Sequence, residues 1–187
     1  MLVRTGQGPV KSGQEAGHDE VDDRWWRALT EKANSAFRHN DCFTARAFYG
    51  EALAEAERLF QLGLQGGHRA QVPVAVIYVI ASHNLAELEL WCGRERAAEV
   101  HFRRACDRLM EGAGDVHAPL AVRAGCMQHL KPALSSLVGH YRASGQPESR
   151  VTDLLASARK VVMSAFHAVR HAEMASPACG HCAIALN

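Results

Sequence analysis

The sequence predicts an all-α protein built from three antiparallel helix pairs. Two stretches, residues 33–53 and 83–106, share one pattern: a helix, a short turn, and a second helix in which two alanines flank an aromatic residue. Small side chains let helix backbones approach, and a large one fills the remaining gap. Two copies of the pattern indicate a repeat architecture. The flanking and aromatic residues are Ala45, Tyr49 and Ala52 in the first copy and Ala98, Phe102 and Ala105 in the second.

The composition is typical of one soluble globular domain. The 187 residues are 48% hydrophobic and 22% charged, which is enough to bury a substantial core. A net charge of +1 favours neither nucleic acid nor an anionic membrane as a partner, because both attract strongly basic surfaces. Residues 1–20 lack the apolar run of a secretory signal, and the longest apolar run, 72–81, is too short to span a bilayer. We therefore expect a cytoplasmic protein with reduced thiols.

The chain is expected to divide into three segments. Residues 1–20 are polar and glycine-rich without helical periodicity, which predicts a disordered N-terminal tail. Residues 21–175 carry the helical patterns and form the predicted domain. Residues 176–187 form a C-terminal tail that is rich in Cys and His.

The first pair of helices is predicted on either side of Asn40-Asp41, which favours a turn. The first helix begins near Asp22 or Asp23, where a carboxylate can cap free amides. Its predicted buried face includes Trp25, Trp26 and Leu29 at helical spacing. The second helix runs from about residue 43 to residue 62 and ends at a group of glycines.

The third helix is the ambiguous element, because the first half of residues 72–91 is β-branched and could form a strand. An apolar stripe at helical spacing nevertheless continues through the whole segment, and Pro73 suits a first helical turn. A lone strand would also have no partner, so the pattern favours a helix. The fourth helix follows Gly93 and runs to about Met110.

The fifth helix is expected to begin near Pro119, and Pro132 is expected to kink or interrupt it, since an interior proline removes a backbone hydrogen bond. The sixth helix is predicted from about residue 148 to residue 173, with Leu155 and Phe166 on its buried side. The turns of the three pairs therefore fall near Asn40, Gly93 and Gly145, about fifty residues apart.

These stretches resemble the tetratricopeptide repeat (TPR) family. The matching residues are Leu29, Ala33, Phe37, Asn40, Ala45, Tyr49 and Ala52 in the first copy and Asn84, Leu85, Ala86, Gly93, Ala98, Phe102 and Ala105 in the second. A third copy is degenerate: Gly145 fits the turn, but Arg150 occupies a position that the family gives to a small residue. The resemblance implies a short α-solenoid that binds a protein or peptide and has no catalytic activity.

In that family, the first helix of each pair lines the binding surface. The resemblance therefore implies partner-binding positions at Arg27, Asn34, Arg38, His83, Glu87, Trp91 and His129. Arg, Trp and His are frequent at protein-binding surfaces. The alternative interpretation is that these residues are solvated and that Trp91 packs against the next pair.

A metal site is the alternative functional hypothesis. His167 and His171 are four residues apart on one helix face, and Cys179 and Cys182 follow in a Cys-x-x-Cys turn. These four side chains could bind zinc tetrahedrally, and the neighbouring Met163 also suits Cu(I). The opposing interpretation is that the histidines are simply solvated, since the chain has eleven of them. No phosphate-binding glycine loop or serine-nucleophile motif is present, so the sequence predicts no enzyme.

Overall fold

The computed structural model describes residues 22–66 and 72–175, with side chains as far as residue 167, and it is helical throughout. Six helices lie in these ranges: α1 (Arg24–Arg38), α2 (Cys42–Leu64), α3 (Val74–Trp91), α4 (Glu95–Gly114), α5 (Leu120–Ala143) and α6 (Glu148–Ala175). The prediction of an all-α chain is confirmed for these ranges, and the ambiguous third element is a helix. The tails predicted at 1–20 and 176–187 lie outside the described residues.

Three turns share one backbone geometry. Asn40, Gly93 and Gly145 adopt φ angles of 59°, 70° and 66°, the left-handed region in which glycine and asparagine are favoured. In each turn the next residue donates its N–H to a carbonyl five residues earlier: the Asp41–Ala36, Arg94–Glu89 and Gln146–Tyr141 bonds are 3.0, 2.8 and 2.8 Å long. This is the Schellman arrangement, which ends one helix and reverses the chain into the next.

Consecutive helices pack against each other along the whole chain, and α3 also packs on α5 and α4 on α6. The central helix α3 therefore has neighbours on several sides, and most of it is apolar. Among the described residues it is the one helix long and apolar enough to cross a membrane, with a mean hydropathy of 1.2. Of that segment 61% is buried inside the protein, so its apolar composition matches its central position.

Charged groups connect helices that are distant in sequence. The Arg108 guanidinium lies 4.9 Å from the centre of the Phe60 ring and donates to Glu57 at 2.6 Å, which joins α4 to α2. Arg150 donates to Glu99 at 2.7 Å and lies 4.6 Å from the centre of the Tyr141 ring, which joins α6 to α4 and α5. Arginine suits such positions because its planar guanidinium can pair with a carboxylate and stack on an aromatic ring at the same time.

One sequence-based detail of the helices is wrong and one is confirmed. Pro132 does not interrupt α5. The helix continues past this exposed residue because Leu130, Ala133 and Leu137 around it are buried in the core and stabilise the helix. The prediction of a capping carboxylate at Asp22 or Asp23 is confirmed for Asp22, which accepts a hydrogen bond of 3.0 Å from the Arg24 N–H at the start of α1, whereas the Asp23 side chain caps no amide.

Three residues assigned to buried faces are exposed instead. Trp25 is 55% exposed, Leu155 46% and Phe166 52%. Trp25 lies on the outside of α1, where the Lys32 ammonium is 5.9 Å from the centre of the Trp25 ring. Leu155 and Phe166 lie on a side of α6 that no other described helix covers, which periodicity alone does not distinguish from a core-facing side.

Candidate functional site

The candidate binding surface is the exposed side of α1, α3 and α5, here called the α1–α3–α5 face, with Arg38, Glu87 and Trp91 as its exposed markers. Trp91 is the last residue of α3, and 66% of its surface is exposed. Its ring meets the Phe37 ring edge-on, with centroids 5.8 Å apart. This contact joins α1 to α3 and fixes the orientation of the indole while leaving most of it open to solvent.

A cavity of about 310 Å³ lies next to this aromatic pair, between α3 and α5. Glu87 and Glu95 contribute its carboxylates, and the buried His140 lies on the α5 side. Neither carboxylate forms an ion pair with any residue in the described ranges. The cavity can therefore accept a positively charged group from a ligand.

His83 lies between this cavity and the core. Its ring packs edge-on against Phe102 with centroids 5.3 Å apart, and Phe102 lies 5.7 Å from His140. Burial lowers the pKa of His83, so the imidazole is neutral at physiological pH. Its Nε2 atom is buried without a hydrogen-bond partner among the described residues. His83 is therefore held in the helix interface, with little of it available to a partner.

The remaining predicted positions do not converge on one point. Arg27 forms an ion pair with Asp23 at 2.7 Å near the start of α1. Asn34 accepts a hydrogen bond of 2.6 Å from the Tyr49 hydroxyl, which ties α1 to α2. His129 lines a separate cavity of about 200 Å³ between the N-terminal ends of α3 and α5. Of the seven predicted residues, Glu87 and Trp91 lie one turn apart at the end of α3, and Arg38 is exposed at the end of α1.

Sequence reasoning missed the polar cluster around Glu89, near the C-terminal end of α3. The Glu89 side chain is buried and accepts hydrogen bonds from Arg46 of α2, at 2.8 Å, and from Arg94 in the following turn. Glu89 also accepts the N–H of Arg94 through its backbone carbonyl. The signal in the sequence is a lone acidic residue on the apolar side of α3, which requires a buried cation partner.

Four free cysteines lie in the described ranges. Cys42 and Cys92 meet beside this cluster, and the hydrogen bond that the Cys42 thiol donates to Cys92, followed by burial, raises the pKa of Cys42. Burial raises the pKa of Cys106 and of Cys126 to about 12. The thiols of Cys42, Cys106 and Cys126 are therefore protonated at neutral pH and poorly nucleophilic.

A second surface feature is a groove of about 520 Å³ between α5 and α6. Its apolar lining includes Met127, Leu134, Val138, Leu155, Val162 and Met163, and its cations are Lys131, Arg142 and Arg159. No acidic residue lines it. Sequence reasoning assigned Leu155 of this lining to the core and Met163 to the predicted metal site, and it did not anticipate a groove.

The predicted metal site cannot be assembled from the described side chains. His167 is exposed on α6, and its ring neighbours Phe166 at 6.2 Å between centroids. The side chain of His171 and both Cys179 and Cys182 lie outside the described residues. Within the described ranges, no three His, Cys, Asp or Glu side chains group as metal ligands. The zinc or copper site therefore stays a prediction.

Comparison with known proteins places the chain in a family. Residues 24–172, from the first residue of α1 to the last turn of α6, match a family model described as "Protein of unknown function (DUF2753)". No curated protein matches the chain, and no solved structure does. The resemblance to tetratricopeptide repeats stays a prediction. Because the match covers well over half of the sequence and all six described helices, the chain belongs to the DUF2753 family.

Proposed function

We propose that this protein is a non-enzymatic, TPR-like interaction module of the cytoplasm. In this proposal the three helix pairs stack as a short α-solenoid, and the α1–α3–α5 face binds a peptide or protein. The observation that carries it is the exposed Trp91, held edge-on against Phe37 at the junction of two pairs. Exposed tryptophans with a fixed orientation are typical of binding hot spots.

The surroundings of Trp91 support a binding role because they hold it in place before a ligand arrives. Glu89 and Arg94 order the turn that follows the indole, and Phe37 supports one edge of the ring. A side chain that is already ordered loses little conformational entropy on binding, and this favours affinity. The indole is therefore a ready apolar contact for a ligand.

The carboxylates near Trp91 indicate the chemistry of the ligand. Glu87 and Glu95 line the neighbouring cavity of about 310 Å³ and have no ion-pair partner in the described part of the chain. A Lys or Arg side chain in this cavity would meet two carboxylates, and an adjacent apolar side chain would contact Trp91. The ligand that fits best is an extended segment with one basic and one apolar residue close together.

Selection from a random peptide library on the immobilised full-length chain tests this proposal. We expect the selected peptides to contain a basic residue beside an apolar one. Their dissociation constants should rise about tenfold with Trp91→Ala and also with Glu87→Gln. Trp25→Ala is the matched control, because Trp25 is similarly exposed but lies beside Lys32 and Phe48 on the outside of the first pair.

Two results would contradict the proposal. The first is a set of selected peptides whose affinity is unchanged by Trp91→Ala and by Glu87→Gln. The second is an equal loss of affinity with Trp25→Ala, which would show that the effect is not specific to the α1–α3–α5 face.

A further inference from the structure

The groove between α5 and α6 lies at the C-terminal end of the described helix array, where no further described helix covers it. Its α5 side is a stripe at helical spacing. The stripe consists of Met127, Lys131, Leu134, Val138 and Arg142. Three of the five residues are apolar, although the helix faces solvent on this side. An apolar stripe in this position needs a physical explanation.

Because the three turns have the same geometry, residues of different pairs can be compared by how many residues they precede Asn40, Gly93 or Gly145. Residues of α3 at the same sequence distances from Gly93 form a corresponding stripe of five. On α1, four residues at the corresponding distances from Asn40 form the same stripe. These residues are Ala75, Val79, Ser82, Ala86 and Leu90 on α3, and Trp26, Leu29, Ala33 and Phe37 on α1.

The α3 stripe is covered by α5. A β-carbon placed on Gly125 of α5 would lie 3.6 Å from the β-carbon of Ala75 at one end of the stripe. At the other end, Leu90 shares a cavity with Gly139 of α5. Between these contacts Val79, Ser82 and Ala86 are only 7%, 0% and 0% exposed. The next helix of the chain thus closes this side of the second pair.

The α1 stripe is buried as well, in a helix that packs mainly on α2. Phe37 meets Trp91 of α3, and Trp26, Leu29 and Ala33 are 8%, 1% and 0% exposed. In both earlier pairs, therefore, the side that corresponds to the groove is largely buried. In the third pair Leu134 and Val138 keep the apolar character of that side, although they are only half-buried.

The groove differs from the two covered stripes in its charge. Lys131 stands where the earlier pairs have Trp26 and Val79, and Arg159 stands on the opposite wall. Neither cation forms an ion pair with a described residue, whereas Arg142 is paired with Glu148 at 2.9 Å. With no carboxylate in the lining, the walls favour a ligand that brings its own negative charges.

We propose that the α5–α6 groove binds an amphipathic helix of a partner protein, whose apolar stripe is flanked by Asp or Glu. The partner helix would take the place that α5 occupies beside α3, by helix-in-groove recognition. The α5 stripe runs over about 22 Å, which matches roughly four turns of partner helix. This site goes beyond the α1–α3–α5 face: it lies on a different surface and selects the opposite charge.

A designed peptide provides the probe. It is about 18 residues long, carries leucines at i, i+3, i+4 and i+7, has flanking glutamates and bears a fluorescein label. A twin peptide carries lysines in place of the glutamates. Fluorescence anisotropy with the full-length chain should show binding of the glutamate peptide and about tenfold weaker binding of the lysine peptide.

Variants of the full-length chain then locate the binding site. Lys131→Glu with Arg159→Glu should weaken binding of the glutamate peptide about tenfold, because the new carboxylates repel its glutamates. Val138→Glu alone should weaken binding by a similar factor, because it places a charge in the apolar stripe. Arg96→Glu with Lys160→Glu is the matched control, since both residues are exposed cations that do not line the groove. Trp91→Ala should leave this peptide unaffected, which separates the result from that of the α1–α3–α5 face.

Four outcomes would overturn the proposal. The first is equal affinity of the chain for the two peptides. The second is an affinity for the glutamate peptide that Lys131→Glu with Arg159→Glu leaves unchanged. The third is a concentration-dependent dimer in sedimentation equilibrium that Val138→Glu abolishes, which would assign the groove to a second copy of the chain. The fourth is tighter peptide binding after Ile184→Asp with Leu186→Asp, which would assign it to the C-terminal tail.

Discussion

Glu89 carries a negative charge into the interior of a helix that is otherwise mostly apolar. Its side chain is 6% exposed, and its two oxygens are shared between Arg46 of α2 and Arg94 of the following turn. Removing a carboxylate from water is costly unless cations and hydrogen bonds replace the solvent. The cluster therefore links α2 to α3 through charged hydrogen bonds near the C-terminal end of α3.

Replacing Glu89 with Gln should lower the free energy of unfolding by about 2 kcal/mol, because both arginines lose a charged acceptor. Arg46 and Arg94 are a third to a half exposed, so water recovers part of the loss. Urea denaturation followed by circular dichroism measures the change.

The matched control for this prediction is Glu148→Gln. Glu148 also pairs with an arginine, Arg142, but both side chains are more than half exposed. Exposed pairs contribute less than about 1 kcal/mol, so the control should change little. Equal losses in the two variants would show that Glu89 gains nothing from its burial.

At the scale of the elements, α5 is the helix whose local sequence disagrees most with its structure. Pro132 lies in its interior, has no N–H to donate to the Gln128 carbonyl, and still does not end the helix. The fully buried Ala133 and Leu137, with Leu130 at 2% exposed, are inserted between α4 and α6 and outweigh the local penalty. Tertiary contacts thus maintain a helix that its own sequence would weaken.

Pro132→Ala should raise the free energy of unfolding by about 2 kcal/mol, because alanine restores the backbone hydrogen bond and removes the clash with the preceding turn. The residue is exposed, so the change creates no cavity. Gly139→Ala in the same helix is the control. Its new methyl group has no neighbour within 4 Å, and it should add only about 0.5–1 kcal/mol. If Pro132→Ala adds no more than the control, the proline is not a penalty in this helix.

At the scale of the whole molecule, helices from all three pairs meet at Gly112 of α4. A β-carbon at this position would lie 2.9 Å from the Phe60 ring of α2 and 2.8 Å from the Cys126 sulfur of α5. Phe60 and Cys126 are fully buried, so neither can move into solvent. Glycine is required here by the close approach of three helices.

Gly112→Ala should therefore lower the free energy of unfolding by about 2 kcal/mol, as overpacking of a closed core does. Gly114→Ala, two residues later in α4, is the comparison, because its nearest neighbour would be Val161 at the ordinary distance of 3.9 Å. Thermal denaturation of the two variants measures the difference. A Gly112→Ala protein as stable as the Gly114→Ala protein would refute this account of the junction.

The sequence by itself determined the helices and the turns. Apolar residues at helical spacing, together with Asn40, Gly93 and Gly145 at positions that demand left-handed backbone, are local signals, and local signals can be read without knowing what lies opposite. The buried alanines and aromatics of α2 and α4 followed from the same patterns.

Only the tertiary structure decided which apolar sides are covered and which polar residues are used internally. Leu134 and Leu29 lie at the same distance from their turns, yet Leu134 borders an open groove and Leu29 is buried in the core. Asn34 and Glu89 are polar in sequence but bond to Tyr49 and Arg46 across helices. Burial and pairing depend on residues brought close by folding from distant parts of the chain, and no periodicity within one helix encodes them.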